Sequence, residues 1–195
     1  MKIPSYWFGL AWGGCLGLGV WLSPARAQTS PLPPALQTYF DHLELGQESL
    51  TLRDYPAAVA AFSQAIKVQP QRFEAYYQRA MTYSFIPNEP AALADVEQAI
   101  KLNPKYAPAY TLRGSLLFRR KQMAAALADL DQALALDAQQ PAAYGLRGTI
   151  KREMQDFAGA MSDFQQGIEI AQKRKQFSVY KALERELERT RQMMQ

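Results

Sequence analysis

The sequence predicts an all-α protein, a stack of helical hairpins closed by one C-terminal helix. Three observations carry that expectation. Residues recur at a fixed step of 34 positions: Tyr76, Tyr110 and Tyr144; Gly114 and Gly148; Ala58, Ala92, Ala126 and Ala160; Pro70 and Pro104. Within each period apolar residues return at helical spacing, and no stretch reads as a strand. The segment 175–195 leaves the period but keeps an apolar stripe of Phe177, Tyr180, Leu183, Leu187 and Met194. A constant period of this length means repeated copies of one small unit that bury their apolar faces on each other, in place of a single central core.

Residues 1–27 stand outside the repeat. Lys2 is the only charge before an apolar run, 6–22, and Ala25-Arg26-Ala27 places small residues at −3 and −1 of a cut before Gln28. This is the layout of a secretory signal peptide. The absence of a twin-arginine pair favours the general secretory route. Cys15 follows Trp12-Gly13-Gly14, where a lipoprotein signal would carry an aliphatic residue in place of Trp12, so lipidation is not expected. The alternative is an uncleaved membrane anchor, because the run is near the lower length for spanning a bilayer. Cleavage would remove Cys15, the only cysteine, and with it any thiol, disulfide or thiolate-metal chemistry. It would also remove Lys2 and Arg26, so the net charge of +4 from 22 basic and 18 acidic residues would fall to +2. That small excess gives no case for nucleic acid, and none is expected as a partner.

The segment 28–38 contains Pro31, Pro33 and Pro34 and reads as an extended linker. Four repeats follow, at 39–72, 73–106, 107–140 and 141–174, each read as a helix A and a helix B. Small residues at position 8 (Gly46, Ala80, Gly114, Gly148) and at position 20 let the two helices approach. Larger residues at position 24 (Phe62, Val96, Leu130, Phe164) fill the space beside them. Pro70 and Pro104, at position 32, stand where helix B must stop. In repeat two, Asn88-Glu89-Pro90 reads as a start for helix B, with Asn88 as its cap and Pro90 just inside. The segment 175–195 reads as a capping helix over the open end of repeat four.

Two charges travel together. Position 7 is Arg79, Arg113 and Arg147 and position 23 is Asp95, Asp129 and Asp163, whereas repeat one has Leu45 and Ala61. Arg and Asp are present or absent as a pair, so they are expected to bond between helices A and B of one repeat. If partly buried, such a pair sets orientation more surely than it adds stability.

No catalytic residue, metal or cofactor is expected. His42 is the sole histidine, so no triad or zinc set can be assembled around it. Gly13, Gly14, Gly17 and Gly19 lie in the apolar leader rather than in a strand-to-helix phosphate loop. Asp41 with Glu44, and Asp129 with Asp131, read as carboxylates on solvated helix surfaces. The basic runs Arg119-Arg120-Lys121 and Lys173-Arg174-Lys175 read first as solvated faces, and second as places for an acidic partner or anionic headgroups.

The repeat resembles the tetratricopeptide family, which favours an aromatic at position 4, a small residue at 8, Tyr at 17, Ala at 20, an apolar residue at 24, Ala at 27 and Pro at 32. Tyr55 and Phe157 at position 17, and Ala65, Ala99 and Ala133 at position 27, add to the matches above, and the likeness spans 136 residues. Departures are His42 at position 4, Glu89 and Met123 at 17, Gly167 at 27, and Ala138 and Gln172 at 32. The resemblance implies a right-handed α-solenoid of four helix-turn-helix repeats that is not an enzyme and binds a partner in a concave groove lined by the A helices. Carried over by position, the partner-binding residues are Tyr77, Met81, Phe85, Thr111, Ser115, Phe118, Arg119 and Arg152.

In that groove Tyr77, Met81, Phe85 and Phe118 would be anchors, Met81 with adaptable packing, and Arg119 and Arg152 would meet acid groups. Met81, Phe85 and Phe118 have a second reading, packing against neighbouring A helices or the linker. The expected partner is a protein or peptide with an apolar stretch and an acidic end. Family members that bind chaperone tails use a clamp of basic and amide residues. Its places are held here by Leu43, Gln47, Gln78, Pro108 and Leu112, a set that cannot grip a terminal carboxylate in that way. The repeat style is similar to that of bacterial, especially cyanobacterial, members. It implies an adaptor for assembling or organising an envelope or thylakoid complex, located in the periplasm or thylakoid lumen. If the leader is retained, the protein would instead be a membrane-anchored structural subunit facing the periplasm.

Overall fold

A computed structural model describes residues 32–194; the segment 1–27, expected to be a signal peptide, and the first residues of the expected linker lie outside the described residues. The first hairpin pairs α1 (Pro34–Thr51) with α2 (Tyr55–Val68), and the second pairs α3 (Phe73–Ser84) with α4 (Glu89–Leu102). The third is α5 (Ala107–Arg119) with α6 (Met123–Leu136), the fourth α7 (Pro141–Glu153) with α8 (Phe157–Lys173), and α9 (Phe177–Gln192) follows. Among the described residues there is no strand. Each helix packs on its neighbours in sequence, and α3, α5, α7 and α9 also touch one another in succession. The result is an all-α helical-repeat solenoid.

Local chemistry sets the helix ends, and here the structure differs from two expectations. The segment read as an extended linker is helical from Pro34, with Pro33 at the N-cap. Proline is well placed there because its missing N–H is one that the first helical turn leaves unbonded anyway. Asn88 does occupy the N-cap of α4, but its side chain makes no capping hydrogen bond. Asp54 and Asp156 do cap, accepting from Ala57 N at 3.1 Å and Gly159 N at 2.8 Å. Helix α8 is 17 residues long where α4 and α6 are 14, and it runs through Gln172, the residue at the position that Pro104 holds after α4.

Three A-to-B turns share one backbone device. Arg53, Lys121 and Gln155 take positive φ of 59°, 61° and 65°. Around them Asp54 N donates to Ser49 O at 2.8 Å, Gln122 N to Leu117 O at 3.0 Å, and Asp156 N to Lys151 O at 2.9 Å. This is the bonding of a Schellman turn, which satisfies the last carbonyls of helix A. Repeat two has Pro87 instead, and its turn closes through Asn88 N to Ile86 O at 2.7 Å.

The interior is built from small residues meeting large ones. Ala58, Ala92, Ala126 and Ala160 are fully buried, as are Ala65, Ala99 and Ala133. Phe62 and Phe164 are the largest fully buried residues of position 24. Each faces a glycine at position 8, Gly46 and Gly148; a Cβ on Gly148 would come within 2.8 Å of the Phe164 ring. Burying one such phenyl ring stabilises the fold by about 2–3 kcal/mol.

The paired charges form a ladder. Arg79, Arg113 and Arg147 each grip the aspartate of their own repeat through two parallel bonds. The distances are 2.6 and 2.7 Å to Asp95, 2.8 and 2.7 Å to Asp129, and 2.9 and 2.6 Å to Asp163. The same guanidinium also reaches position 25 of the preceding repeat. Arg79 donates to Ser63 Oγ at 2.9 Å, Arg147 donates to Asp131 Oδ1 at 2.7 Å, and Glu97 adds its charge near Arg113. The hydrogen bonds to these aspartates hold the guanidinium groups more firmly protonated than usual. The ladder therefore joins A to B within a repeat and each repeat to the one before it.

Candidate functional site

Helices α3, α5 and α7 place one face of each A helix along a common wall. Between them lies an open cavity of about 490 Å³ lined mainly by Tyr77 and Met81 from α3, Pro108, Leu112 and Ser115 from α5, and Leu146 from α7. Thr111, Gln140 and Ala142 complete it. The wall is mostly apolar. Its polar groups are few and partly committed: Thr111 Oγ1 donates to Gln140 Oε1 at 3.2 Å, and Gln140 Nε2 donates to the carbonyls of Ala133 and Asp137, both at 3.3 Å. Tyr77 is held edge-on against Tyr106 at 5.0 Å between ring centroids. Burial pushes its hydroxyl up to about 12, so the wall presents a neutral phenol.

Four of the eight residues expected to bind a partner, Tyr77, Met81, Thr111 and Ser115, come together in this cavity. Phe85 does not line it. The Phe85 ring stacks on Tyr55 at 5.5 Å and is 58 % exposed, in an adjoining cavity that shares Met81. Phe118 is half-buried and packs against the cluster of Ala126 and Leu130 on α6 and Ala143 and Ile150 on α7.

The two arginines are already engaged. Arg119 donates to Ser84 O at 3.2 Å and lies 3.4 Å from Glu89 Oε2. Arg152 is 9 % exposed and donates to Glu186 Oε2 of α9 at 2.5 Å, with its guanidinium 5.7 Å from the Phe164 ring centre. The acid that Arg152 meets is therefore the protein's own. Glu186 stands 34 residues after Arg152, so the repeat step was the available signal, although 175–195 was read as leaving the period. Sequence reasoning also left Leu112 and Leu146 out of the binding set. Both stand at position 6, and their pairing of apolar type with A-helix placement was the available signal.

Among the described residues no group of three or more His, Cys, Asp and Glu side chains is arranged to hold a metal ion. No helix among them is long and apolar enough to cross a membrane.

Comparison with known proteins agrees with this architecture. One tetratricopeptide repeat profile matches 43–83 and 90–143, and a second matches 73–106 and 141–174. Among solved structures, the MamA protein is 22% identical with a TM-score of 0.62, over 80% of this chain and 89% of that one. The first tetratricopeptide domain of Spaghetti (RPAP3), bound to the HSP90 peptide SRMEEVD, is 22% identical with a TM-score of 0.58, over 60% of this chain and 94% of that one. A chain of the APC/C hetero-tetramer Cut9–Hcn1 is 19% identical with a TM-score of 0.67, over 69% of this chain and 26% of that one. Likeness at these identities speaks to the fold. No curated protein matches the sequence. The profile matches together run from 43 to 174, through all four helical hairpins, and the chain belongs to the tetratricopeptide repeat family.

Proposed function

We propose that this protein is a non-enzymatic scaffold that binds an apolar segment of a partner protein along its A-helix wall. The observation that carries the reading is the cavity bounded by Tyr77, Met81, Leu112 and Leu146. It is contributed by three successive A helices and left open by the protein's own cap. Two similar structures hold peptides in tetratricopeptide domains, the HSP90 peptide SRMEEVD and the HSP70 peptide SGPTIEEVD, and they support a peptide as the kind of ligand. The apolar lining here, with Pro108 and Leu112 in the wall, favours buried aliphatic or aromatic side chains over a clamped terminal carboxylate. A photo-crosslinking residue at Ser115 is expected to trap a partner, and the same residue at exposed Gln132 on α6 is not. Equal capture from both positions would reject the groove.

The same reading places the protein outside the cytoplasm, in a periplasm or thylakoid lumen, where it would help assemble or organise an envelope complex. Its support is the signal-like order of 1–27. Terminal sequencing of the native protein is expected to begin at Gln28; a start at Met1 would favour the anchored alternative.

A further inference from the structure

We infer that the partner segment continues beyond the Tyr77–Leu146 cavity, over Met81, onto an aromatic shelf at the α1–α2 turn, and places a carboxylate against Arg53. The inference rests on the groove reading above and gives the bound segment a second anchor, a direction and a charge.

The shelf is a second open cavity of about 520 Å³, formed by Leu50, Thr51, Arg53, Tyr55, Met81 and Phe85. Met81 lines both cavities, so the two adjoin at its side chain and an extended segment passing over it would meet both. The first is walled by α3, α5 and α7. The second lies at the C-terminal ends of α1 and α3, so such a segment would cross the A helices obliquely and end at repeat one. Phe85 is a large exposed aromatic, yet it is held in place by stacking on Tyr55 with an interplanar angle of 16°. An aromatic surface that is already ordered loses little freedom on binding, which makes it an effective anchor. Leu52, in the same turn, is 73 % exposed.

Charge complementarity names the partner chemistry. Arg119 and Arg152 meet the protein's own Glu89 and Glu186. Asp54, the nearest acid in sequence to Arg53, is turned back to cap α2. Among the described residues Arg53 takes part in none of the ion pairs, and its left-handed backbone fixes the direction in which its side chain leaves the turn. Its exposed guanidinium is therefore open to an acid group from another chain. The occupant that fits is an extended polypeptide of another protein with two apolar side chains and an acidic residue beside the one on the shelf.

The test uses the full chain and fluorescent synthetic peptides of about twelve residues, long enough to extend about 40 Å. Each carries two leucines at varied spacing on a glycine–serine backbone, with Glu, Gln or Lys beside one leucine. Binding is read by anisotropy. Glu peptides are expected to bind more tightly than Lys peptides, with the difference shrinking as salt is added. Phe85→Ala is expected to weaken binding about tenfold or more, as loss of an anchor does. Arg53→Glu is expected to invert the preference in favour of Lys. Both residues are exposed, and circular dichroism verifies that the variants keep their helix.

Binding abolished by Leu146→Ser but untouched by Phe85→Ala and Arg53→Glu would overturn the shelf and leave the groove reading standing. No peptide binding, or binding indifferent to Leu146→Ser, would overturn both. Equal affinity of Glu and Lys peptides for the unmodified protein would remove the role of Arg53. A dimer that Phe85→Ala dissociates, or peptide binding that Phe85→Ala strengthens, would assign the shelf to a second copy or to the protein's own chain and overturn the inference.

Discussion

Arg113 and Asp129 show what the repeat asks of a single side chain. Asp129 is buried and its carboxylate is spanned by two bonds from one guanidinium. Removing Arg113 would strand that carboxylate, at a cost of about 1–3 kcal/mol. Chemical denaturation of Arg113→Ala, Asp129→Ala and the double variant is expected to show coupling of about 1–2 kcal/mol; additive losses would reject it. Arg147→Ala should cost less than Arg113→Ala, although Arg147 makes more bonds, because Lys151 Nζ lies 2.8 Å from Asp163 and stays as its partner. Tyrosine gives a second handle. Burial, helped for Tyr39 by the charge of Glu74, pushes the hydroxyls of Tyr39 and Tyr77 up to about 12. Unfolded tyrosine ionises near pH 10, so between about pH 10 and 12 the folded state binds more protons. This contribution to stability is complete below pH 10 and is lost as pH rises toward 12. Thermal melts of Tyr77→Phe are therefore expected to fall less steeply than the parent across that window; identical slopes would remove Tyr77 from the account.

At the scale of the helical hairpin, each repeat matches a small residue on helix A to a large one on helix B in its own way. Gly148 meets Phe164, Gly114 meets Leu130 with a closest Cβ approach of 3.2 Å, and repeat two solves the same problem with Ala80 and Val96. Gly148→Ala would press a methyl into the Phe164 ring and is expected to cost about 1–3 kcal/mol by overpacking. Adding Phe164→Val reproduces the repeat-two pair and is expected to recover part of that loss in urea unfolding. If the double variant were less stable than Gly148→Ala alone, the pairing would be wrong. This level of organisation was readable in the sequence, because size complementarity repeats at a fixed step and needs no knowledge of neighbours. The bond from Arg147 to Asp131 was not readable in the same way. The co-occurrence of Arg and Asp pointed to position 23, while position 25 varies as Ser63, Glu97, Asp131 and Gln165 and leaves no pattern to follow. Likewise Pro34 marked a linker by composition, yet the same ring is compatible with the first turn of a helix.

Across the whole array, contacts run between neighbours, so disturbance at one end should stay near that end. Helix α9 is where this matters. Leu183 packs where a Cβ on Gly145 or Gly167 would stand, within 2.5 and 2.8 Å, and Glu186 holds the buried Arg152. The cap thus uses the last A-helix face that an unbroken repeat would have left free, which is why Arg152 serves α9 while Tyr77 and Met81, two repeats away, stay open. Leu183→Ala removes buried apolar volume from this junction and is expected to cost about 2–4 kcal/mol. Hydrogen exchange is expected to place that loss unevenly, with faster exchange in α7, α8 and α9 and unchanged protection in α1 to α4. Contacts of a peptide with Tyr77 and Met81 should survive the variant, since α3 keeps its own neighbours, and any weakening should be confined to the part that Leu146 of α7 supplies. Uniform loss of protection along all nine described helices would instead mean that the array melts as one cooperative body, and the separation of a sealing end from a binding middle would have no physical basis.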